Sequence, residues 1–113
     1  MVQAGVPVAM ATDFNPGSCP CLNMQLVISL GCLRYRLTPE QALTAVTLNG
    51  AAAICRADCI GSIEPGKCAD LLVVNGDVAA DIHVLNTDNM DVIMKDGWIV
   101  EAGSFGEANK YSA

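Results

Sequence analysis

The chain has 113 residues, of which 52% are hydrophobic and 16% are charged. It is long enough for one domain with a core and too apolar for a disordered segment. The net charge of −6, without a cluster of Lys or Arg, argues against nucleic acid and anionic membrane as partners. The N-terminus lacks a basic segment and a membrane-length apolar run, so we expect a cytoplasmic protein. The high apolar content predicts extra burial, in a homo-oligomer or against a missing partner.

A continuous apolar run near the N-terminus predicts the first strand. Residues 5–12, GVPVAMAT, lack polar alternation, which suits a parallel strand that is covered on both faces. The run stops at Asp13, and a turn-rich segment with Asn15, Gly17 and Ser18 follows. Turn chemistry alone leaves two interpretations open, a plain turn and the rim of an active site.

A helix is predicted from Pro20 to about Arg34. Ser18 or Cys19 would be its N-cap, and Pro20 suits its first turn. Leucines recur at steps of three and four residues, which indicates one apolar helix face. These leucines are Leu22, Leu26, Leu30 and Leu33.

A second helix is predicted over 38–55. Thr38 is a natural N-cap, and Gln41 stands three residues later, so the two complete a capping box. The pair Asn49-Gly50 is expected to interrupt this helix near its middle, with a shorter helical turn after it.

From residue 60 onward the pattern changes to short strands. Residues 64–67, EPGK, place Pro and Gly at the two central positions of a type II turn. Residues 69–74, ADLLVV, read as a strand, and Asp96-Gly97 joins two further apolar strands into a hairpin. The polar tail 104–113 is expected to fray. A single parallel strand has no parallel neighbour in this inventory, which favours the end of something larger.

The six cysteines do not follow a metal-site or disulfide pattern. No signal peptide supports an oxidising compartment, and the spacings lack paired C-x-x-C motifs. His83 is the single histidine, and we expect it to be a surface or partly buried strand residue. We therefore predict buried free thiols.

Three stretches carry a resemblance to a known family. They are ATDFNPGS at 11–18, MQLVISLGCLRYRLTPEQALTAVTLNGAAAI at 24–54 and GSIEPGKCADLLVV at 61–74. Together they resemble the C-terminal portion of imidazolonepropionase, a member of the amidohydrolase superfamily. The resemblance implies an α/β fold. Residues 1–58 would be the last strand-helix unit of a metal-dependent (β/α)₈ barrel with its terminal helices. Residues 59–103 would be the C-terminal strands of a small composite β-sandwich, followed by the tail.

The same resemblance implies a site at the end of the first strand. Asp13 would be a metal ligand and would accept a proton from the activated water. Asn15, Gly17 and Ser18 would contact the small-molecule substrate, 4-imidazolone-5-propanoate, or its product, N-formimidoyl-L-glutamate. The implied reaction is the opening of a cyclic amide in histidine degradation, and the implied metal is Zn²⁺ or Fe³⁺.

Two departures from the family shape this expectation. Residues 75–100 look more like other amidohydrolases, including prolidase-like dipeptidases. The family also needs a His-x-His pair and a barrel of about 250 residues, whereas this chain has one histidine. We therefore expect a fragment that binds no metal and is inactive alone. The alternatives are a fragment of another amidohydrolase (prolidase-like or a cyclic amidase) and a non-catalytic module that assembles through exposed apolar faces.

Overall fold

The structure, a computed structural model, describes residues 1–86 and 89–102. The chain divides into two compact units, Met1–Ser62 and Ile63–Ala113. The predicted tail 104–113 lies outside the described residues.

The first unit is built from three helices after a short 3₁₀ turn at Val2–Ala4. Helix α1 spans Met24–Tyr35, α2 spans Pro39–Val46 and α3 spans Leu48–Ala53. Helix α2 packs against both α1 and α3. The buried side chains of this unit are small or aliphatic, and they belong to Ile28, Ala42, Ala45 and Ala51. No helix among the described residues is long and apolar enough to span a bilayer.

The predicted strand at residues 5–12 is wrong, because this segment carries no strand. Its hydrogen bonds go to the helices instead. The Met10 N–H donates to the Ala45 carbonyl at 3.1 Å, and the Asn49 Nδ2 donates to the Val8 carbonyl at 2.9 Å. A Cβ added at Gly31 would lie 2.8 Å from Met10 Cε, so the glycine in α1 permits this close approach. A strand requires a neighbouring strand, and the described residues of this unit form none that pairs with the segment.

The segment is also covered on one side only, which corrects the expectation of burial on both faces. Val8, Met10 and Thr12 are half-buried, whereas Ala9 and Ala11 between them are exposed. This alternation follows the period of two of extended backbone.

Helix α1 begins later than predicted and buries a different face. Its N-cap is Asn23, whose side chain accepts a hydrogen bond from the Leu26 N–H at 3.0 Å. Neither Ser18 nor Cys19 is the cap, because both belong to a closed turn that precedes the helix.

The leucines that were expected to form the buried face of α1 are exposed, namely Leu22, Leu26, Leu30 and Leu33. The helix buries Ile28 and Gly31 instead. Apolar residues therefore occupy more than one side of α1, a pattern typical of a helix that is buried all round.

The capping box at the start of α2 is confirmed. Thr38 Oγ1 accepts from the Gln41 N–H at 3.3 Å, and Gln41 Oε1 accepts from the Thr38 N–H at 3.0 Å. The predicted interruption exists but lies at Thr47, between α2 and α3, and Asn49-Gly50 lies within α3. The Asn49 amide bonds to the Val8 carbonyl rather than ending the helix.

The second unit contains an antiparallel sheet with strand order β1-β2-β3. The strands span Leu71–Val74, Met90–Lys95 and Trp98–Ala102. In the register, Leu72 pairs with Ile93, which pairs in turn with Glu101. The predicted strand at 69–74 and the predicted hairpin are confirmed.

Both predicted turns of this unit are present. The Lys67 N–H donates to the Glu64 carbonyl at 3.2 Å, and Gly66 has a φ of +88°, as a type II turn requires. Asp96 and Gly97 have φ values of +49° and +81°, which fits a type I′ hairpin turn.

In this unit, Asp70 lies beside the hairpin turn and His83 lies in a 3₁₀ helix. Asp70 accepts hydrogen bonds from Lys95 Nζ at 2.7 Å and from the Asp96 N–H at 2.9 Å, so it clamps the hairpin turn. His83 is exposed but lies in a 3₁₀ helix, Ile82–Asn86, and not in a strand as predicted.

Candidate active site

The candidate site is a closed loop of residues 13–19, which we call the Asp13 loop. Its ends are joined by two backbone hydrogen bonds. The Asn15 N–H donates to the Cys19 carbonyl at 2.9 Å, and the Cys19 N–H donates to the Asn15 carbonyl at 3.3 Å. Cys19 Sγ also donates to the Thr12 carbonyl at 3.1 Å. The loop is therefore fixed at the point where the N-terminal segment ends.

The Asn15 side chain is the centre of this loop. Its Nδ2 donates to the Asp13 carbonyl at 2.9 Å. Its Oδ1 accepts from the Gly17 N–H at 3.0 Å, the Ser18 N–H at 2.7 Å and Ser18 Oγ at 3.1 Å. The structure thus brings all four predicted site residues together, around one carboxamide.

Asp13 opens the loop in a left-handed backbone conformation, with a φ of +53°. This region is uncommon for a residue other than Gly, although Asp and Asn tolerate it better than most. The residue is exposed. Within the described part of the chain, its carboxylate takes part in no hydrogen bond or ion pair. An exposed carboxylate of this kind is available as an oxygen ligand or a proton acceptor.

A groove of about 1010 Å³ lies in the same unit and meets this loop only at Cys19. Its walls include Thr12, Cys19, Leu26 and Leu30, and none of Asp13, Asn15, Gly17 and Ser18 lines it. Its apolar lining includes leucines of the exposed α1 face. The groove therefore belongs to the uncovered apolar surface rather than to the polar site.

The described residues do not form a complete metal site. Among them, no group of three or more His, Cys, Asp and Glu side chains is placed to hold an ion. Catalytic zinc sites take three protein ligands, and Asp13 supplies one oxygen ligand at most. The donor set of this part of the chain therefore does not fit a metal ion on its own.

The cysteines differ from the prediction in their burial. All six are free, as expected, but Cys55 and Cys68 are exposed and the other four are only half-buried. The physical reason is their location, since only Cys32 lies inside a helix or strand. The remaining positions are in turns and connections, which stay near the surface.

Asn49 was missed as a residue that positions the site. Its hydrogen bond to the Val8 carbonyl spans 41 residues of sequence and ties the segment that leads to Asp13 onto α3. The available signal was an amide among apolar neighbours in a predicted helix, because a partly buried amide requires a partner.

Comparison with known proteins identifies the family. The sequence model of the amidohydrolase family matches residues 1–100. The chain therefore belongs to the amidohydrolase family.

Among curated relatives, the chain resembles imidazolonepropionases. It is 48% identical to that of Alkaliphilus oremlandii (strain OhILAs) over 104 residues, which covers 88% of this chain and 24% of the relative. It is 52% identical to that of Bacteroides fragilis (strain YCH46) over 85 residues, covering 75% and 20%. These figures confirm the resemblance, and the chain spans about a quarter of the length of these relatives.

Solved structures support the same fold family. A putative prolidase from Bifidobacterium longum matches with a TM-score of 0.76 and 25% identity, over 96% of this chain and 27% of that chain. The α/β content is confirmed by the helices and the small antiparallel sheet.

Proposed function

We propose that this chain is part of an imidazolonepropionase-like hydrolase that opens the cyclic amide of 4-imidazolone-5-propanoate to N-formimidoyl-L-glutamate in histidine degradation. The supporting observation is the Asp13 loop. Its sequence lies in the stretch 11–18 that carries the resemblance to that family, and it folds into a closed turn around Asp13 and Asn15. Identity of 48% to a protein named imidazolonepropionase adds weight to this substrate class.

Asp13 is the residue to which we assign the chemistry. In the complete site it would be one ligand of a Zn²⁺ or Fe³⁺ ion and would accept a proton during water attack. Such an ion, when bound, supplies water of lowered pKa and polarises a carbonyl. Asn15, Gly17 and Ser18 would form the rim that borders the substrate, since they surround the loop that Asp13 opens.

The remainder of the site is proposed to come from outside this chain. We assign residues 1–58 to the C-terminal end of the barrel and 59–103 to the C-terminal part of the composite β-sandwich. Exposed leucines on α1 and the uncovered face of residues 8–12 favour this arrangement, because apolar faces of this size need cover. We place the whole protein in the cytoplasm. A homo-oligomer that covers the same faces is the competing arrangement.

A prolidase-like activity is the second candidate. It is favoured by the likeness to the putative prolidase from Bifidobacterium longum, which extends over 96% of this chain. The two candidates differ in substrate, a cyclic amide against an Xaa-Pro dipeptide, so one set of assays separates them.

The test compares the 113-residue chain with the product of the complete reading frame that contains it. We expect the chain alone to hydrolyse neither substrate and to bind no stoichiometric zinc. The complete protein should open the imidazolone ring, and Asp13→Ala should lower that rate by more than about 100-fold, since ligand loss exceeds the 10–100-fold effect of outer-shell changes. Asp58→Ala, at another exposed aspartate of the same unit, is the matched control.

Three results would contradict these assignments. Zinc bound stoichiometrically by the 113-residue chain and lost in Asp13→Ala would refute the incomplete-site assignment. Full activity of Asp13→Ala in the complete protein would refute the role of Asp13. Dipeptide cleavage without ring opening would replace the first candidate with the second.

A further inference from the structure

We propose that Asn75, which Gly76 follows, is a site of spontaneous deamidation in the folded chain, whereas the fold protects the other Asn-Gly pair, Asn49-Gly50. The product is a mixture of aspartate and isoaspartate at position 75, and the isoaspartate loosens the end of β1. The reaction consumes only water, so it is independent of the proposed function.

The chemistry requires an asparagine side chain and the backbone nitrogen of the next residue. Glycine favours the reaction because it has no Cβ that crowds this nitrogen. The nitrogen attacks the side-chain Cγ, the bond from Cγ to Nδ2 breaks, and ammonia leaves with the amide proton of the glycine. Water then opens the resulting succinimide at either carbonyl. One water is consumed and one ammonia is released, and no oxidant or reductant takes part.

The surroundings of Asn75 leave both reacting groups free. Asn75 and Gly76 are exposed and lie in a bend directly after β1. Among the described residues, neither the Asn75 carboxamide nor the Gly76 N–H takes part in a hydrogen bond. The backbone is held at the Asn75 N–H, which donates to the Asn89 carbonyl at 2.7 Å. The side chain can therefore rotate toward the Gly76 nitrogen without breaking a hydrogen bond.

Asn49 has the same neighbour in sequence but different surroundings. It is half-buried in α3, and its Nδ2 donates to the Val8 carbonyl at 2.9 Å. Nδ2 is the atom that leaves as ammonia, so this bond must break before the reaction can finish. Ring closure also requires the peptide after the asparagine to rotate out of the helical conformation, in which α3 holds Gly50. The fold therefore slows the reaction at Asn49 in two ways.

Isoaspartate at position 75 would add a methylene to the main chain where β1 ends. A Cβ added at Gly76 would lie 2.7 Å from Val84 Cγ1, so the backbone has little room to shift toward Val84. The longer main chain therefore displaces the hydrogen bond between the Asn75 N–H and the Asn89 carbonyl. The aspartate product keeps the length of the main chain and changes only its charge.

The experiment follows the 113-residue chain by ammonia release and by mass spectrometry of its peptides. We expect Asn75 to react at least about tenfold faster than Asn49, which corresponds to about 1.4 kcal/mol of activation free energy and lies within the value of one hydrogen bond. Ammonia release separates this reaction from isomerisation at Asp96-Gly97, which releases none. An unreacted Asn75, or an Asn49 that reacts as fast, would overturn the proposal.

Two controls separate the fold from the sequence. In urea above the unfolding midpoint both pairs are accessible, so the two rates should converge, and a difference that persists there would overturn the protective role of the fold. Asn75→Gln loses no side-chain hydrogen bond among the described residues. This variant should fold like the wild type and lose the fast phase of ammonia release. A fast phase that remains would overturn the assignment to Asn75.

Amide exchange measured by NMR tests the structural consequence. The isoaspartate form is separated from the aged chain by ion exchange and identified by enzymatic methylation. We expect faster exchange of the residue 75 amide in this form, with the Met10 amide, which donates to the Ala45 carbonyl, unchanged as the control. Unchanged exchange at residue 75 would overturn the proposed loosening of β1.

Discussion

Replacing Asn49 tests how the segment that leads to Asp13 is held in place. Asn49 Nδ2 donates to the Val8 carbonyl at 2.9 Å, and the Met10 N–H donates to the Ala45 carbonyl at 3.1 Å. These two bonds attach a segment without strand partners to α2 and α3. Removing the first should loosen residues 8–12 while α3 stays helical.

The expected magnitude differs between two substitutions at this position. Asn49→Ala loses one hydrogen bond, worth about 0.5–1.5 kcal/mol, but gains up to about 0.7 kcal/mol of helix propensity. The net loss of unfolding free energy should therefore be about 0–1 kcal/mol. Asn49→Asp has no such gain and places carboxylate oxygens against the part-buried Val8 carbonyl. Its loss should be about 1–3 kcal/mol, because the carboxylate repels the Val8 carbonyl oxygen in addition to leaving it without a donor.

The assay is urea unfolding followed by far-UV circular dichroism, together with amide exchange at Met10. We expect the order wild type, Asn49→Ala, Asn49→Asp in decreasing stability, and faster Met10 exchange in both variants. The order should persist in 0.5 M salt, because a contact this close is screened little. Asn49→Asp as stable as Asn49→Ala, with Met10 exchange unchanged, would refute the reasoning.

Two further predictions concern the capping box and the hairpin clamp. Thr38→Ala removes the acceptor of the Gln41 N–H and should lower the unfolding free energy by about 1 kcal/mol, measured by urea unfolding; an unchanged midpoint would contradict it. The pKa of Asp70 lies below its usual value because Lys95 and the Asp96 N–H donate to its carboxylate. Its stabilising contribution is therefore present above the unfolded-state pKa of about 4 and lost as pH falls through the lower folded-state pKa. Asp70→Asn should flatten the acid side of a stability–pH profile, and an unaltered slope would show that the clamp contributes nothing.

The parts of the fold that sequence predicted well depend on a few adjacent residues. The Thr38 and Gln41 pair, the 64–67 turn and the Asp96-Gly97 hairpin each bring their own donors, acceptors or permitted φ values. Such local chemistry gives the same answer in any surroundings. These local structures therefore form even in a chain whose other surfaces are uncovered.

Three of the wrong predictions depended on a distant partner. Residues 5–12 have strand composition, but pairing requires another strand that the described residues of this unit do not supply. The leucine stripe of α1 was read as its buried face, yet Ile28 and Gly31 pack inward instead, because a helix that is apolar on several sides does not specify which side meets α2. Asn49 was read as a helix breaker because its partner, Val8, lies 41 residues away.

The same distinction between local and distant partners applies to the candidate site. The stretch 11–18 indicated which residues to consider, through its resemblance to a family. It did not indicate that the Asn15 carboxamide would bond to Asp13, Gly17 and Ser18 at once. The same loop also contains the left-handed conformation of Asp13, which residue identity permits but does not require.

The alternation along the N-terminal segment indicates which of its faces the proposed barrel would cover. Val8, Met10 and Thr12 are the half-buried residues, whereas Ala9, Ala11 and Asp13 are exposed. With a period of two, Ala9 and Ala11 share one face of extended backbone, and the left-handed φ of +53° at Asp13 ends this alternation. The helices cover the other face, through Met10 and the Val8 carbonyl. Under the proposed function, the rest of the barrel would cover the Ala9 and Ala11 face, which the helices leave exposed. A strand added along the edge that carries the Val8 carbonyl and the Met10 N–H would have to replace their hydrogen bonds to Asn49 and Ala45, whereas a strand along the opposite edge would leave them intact.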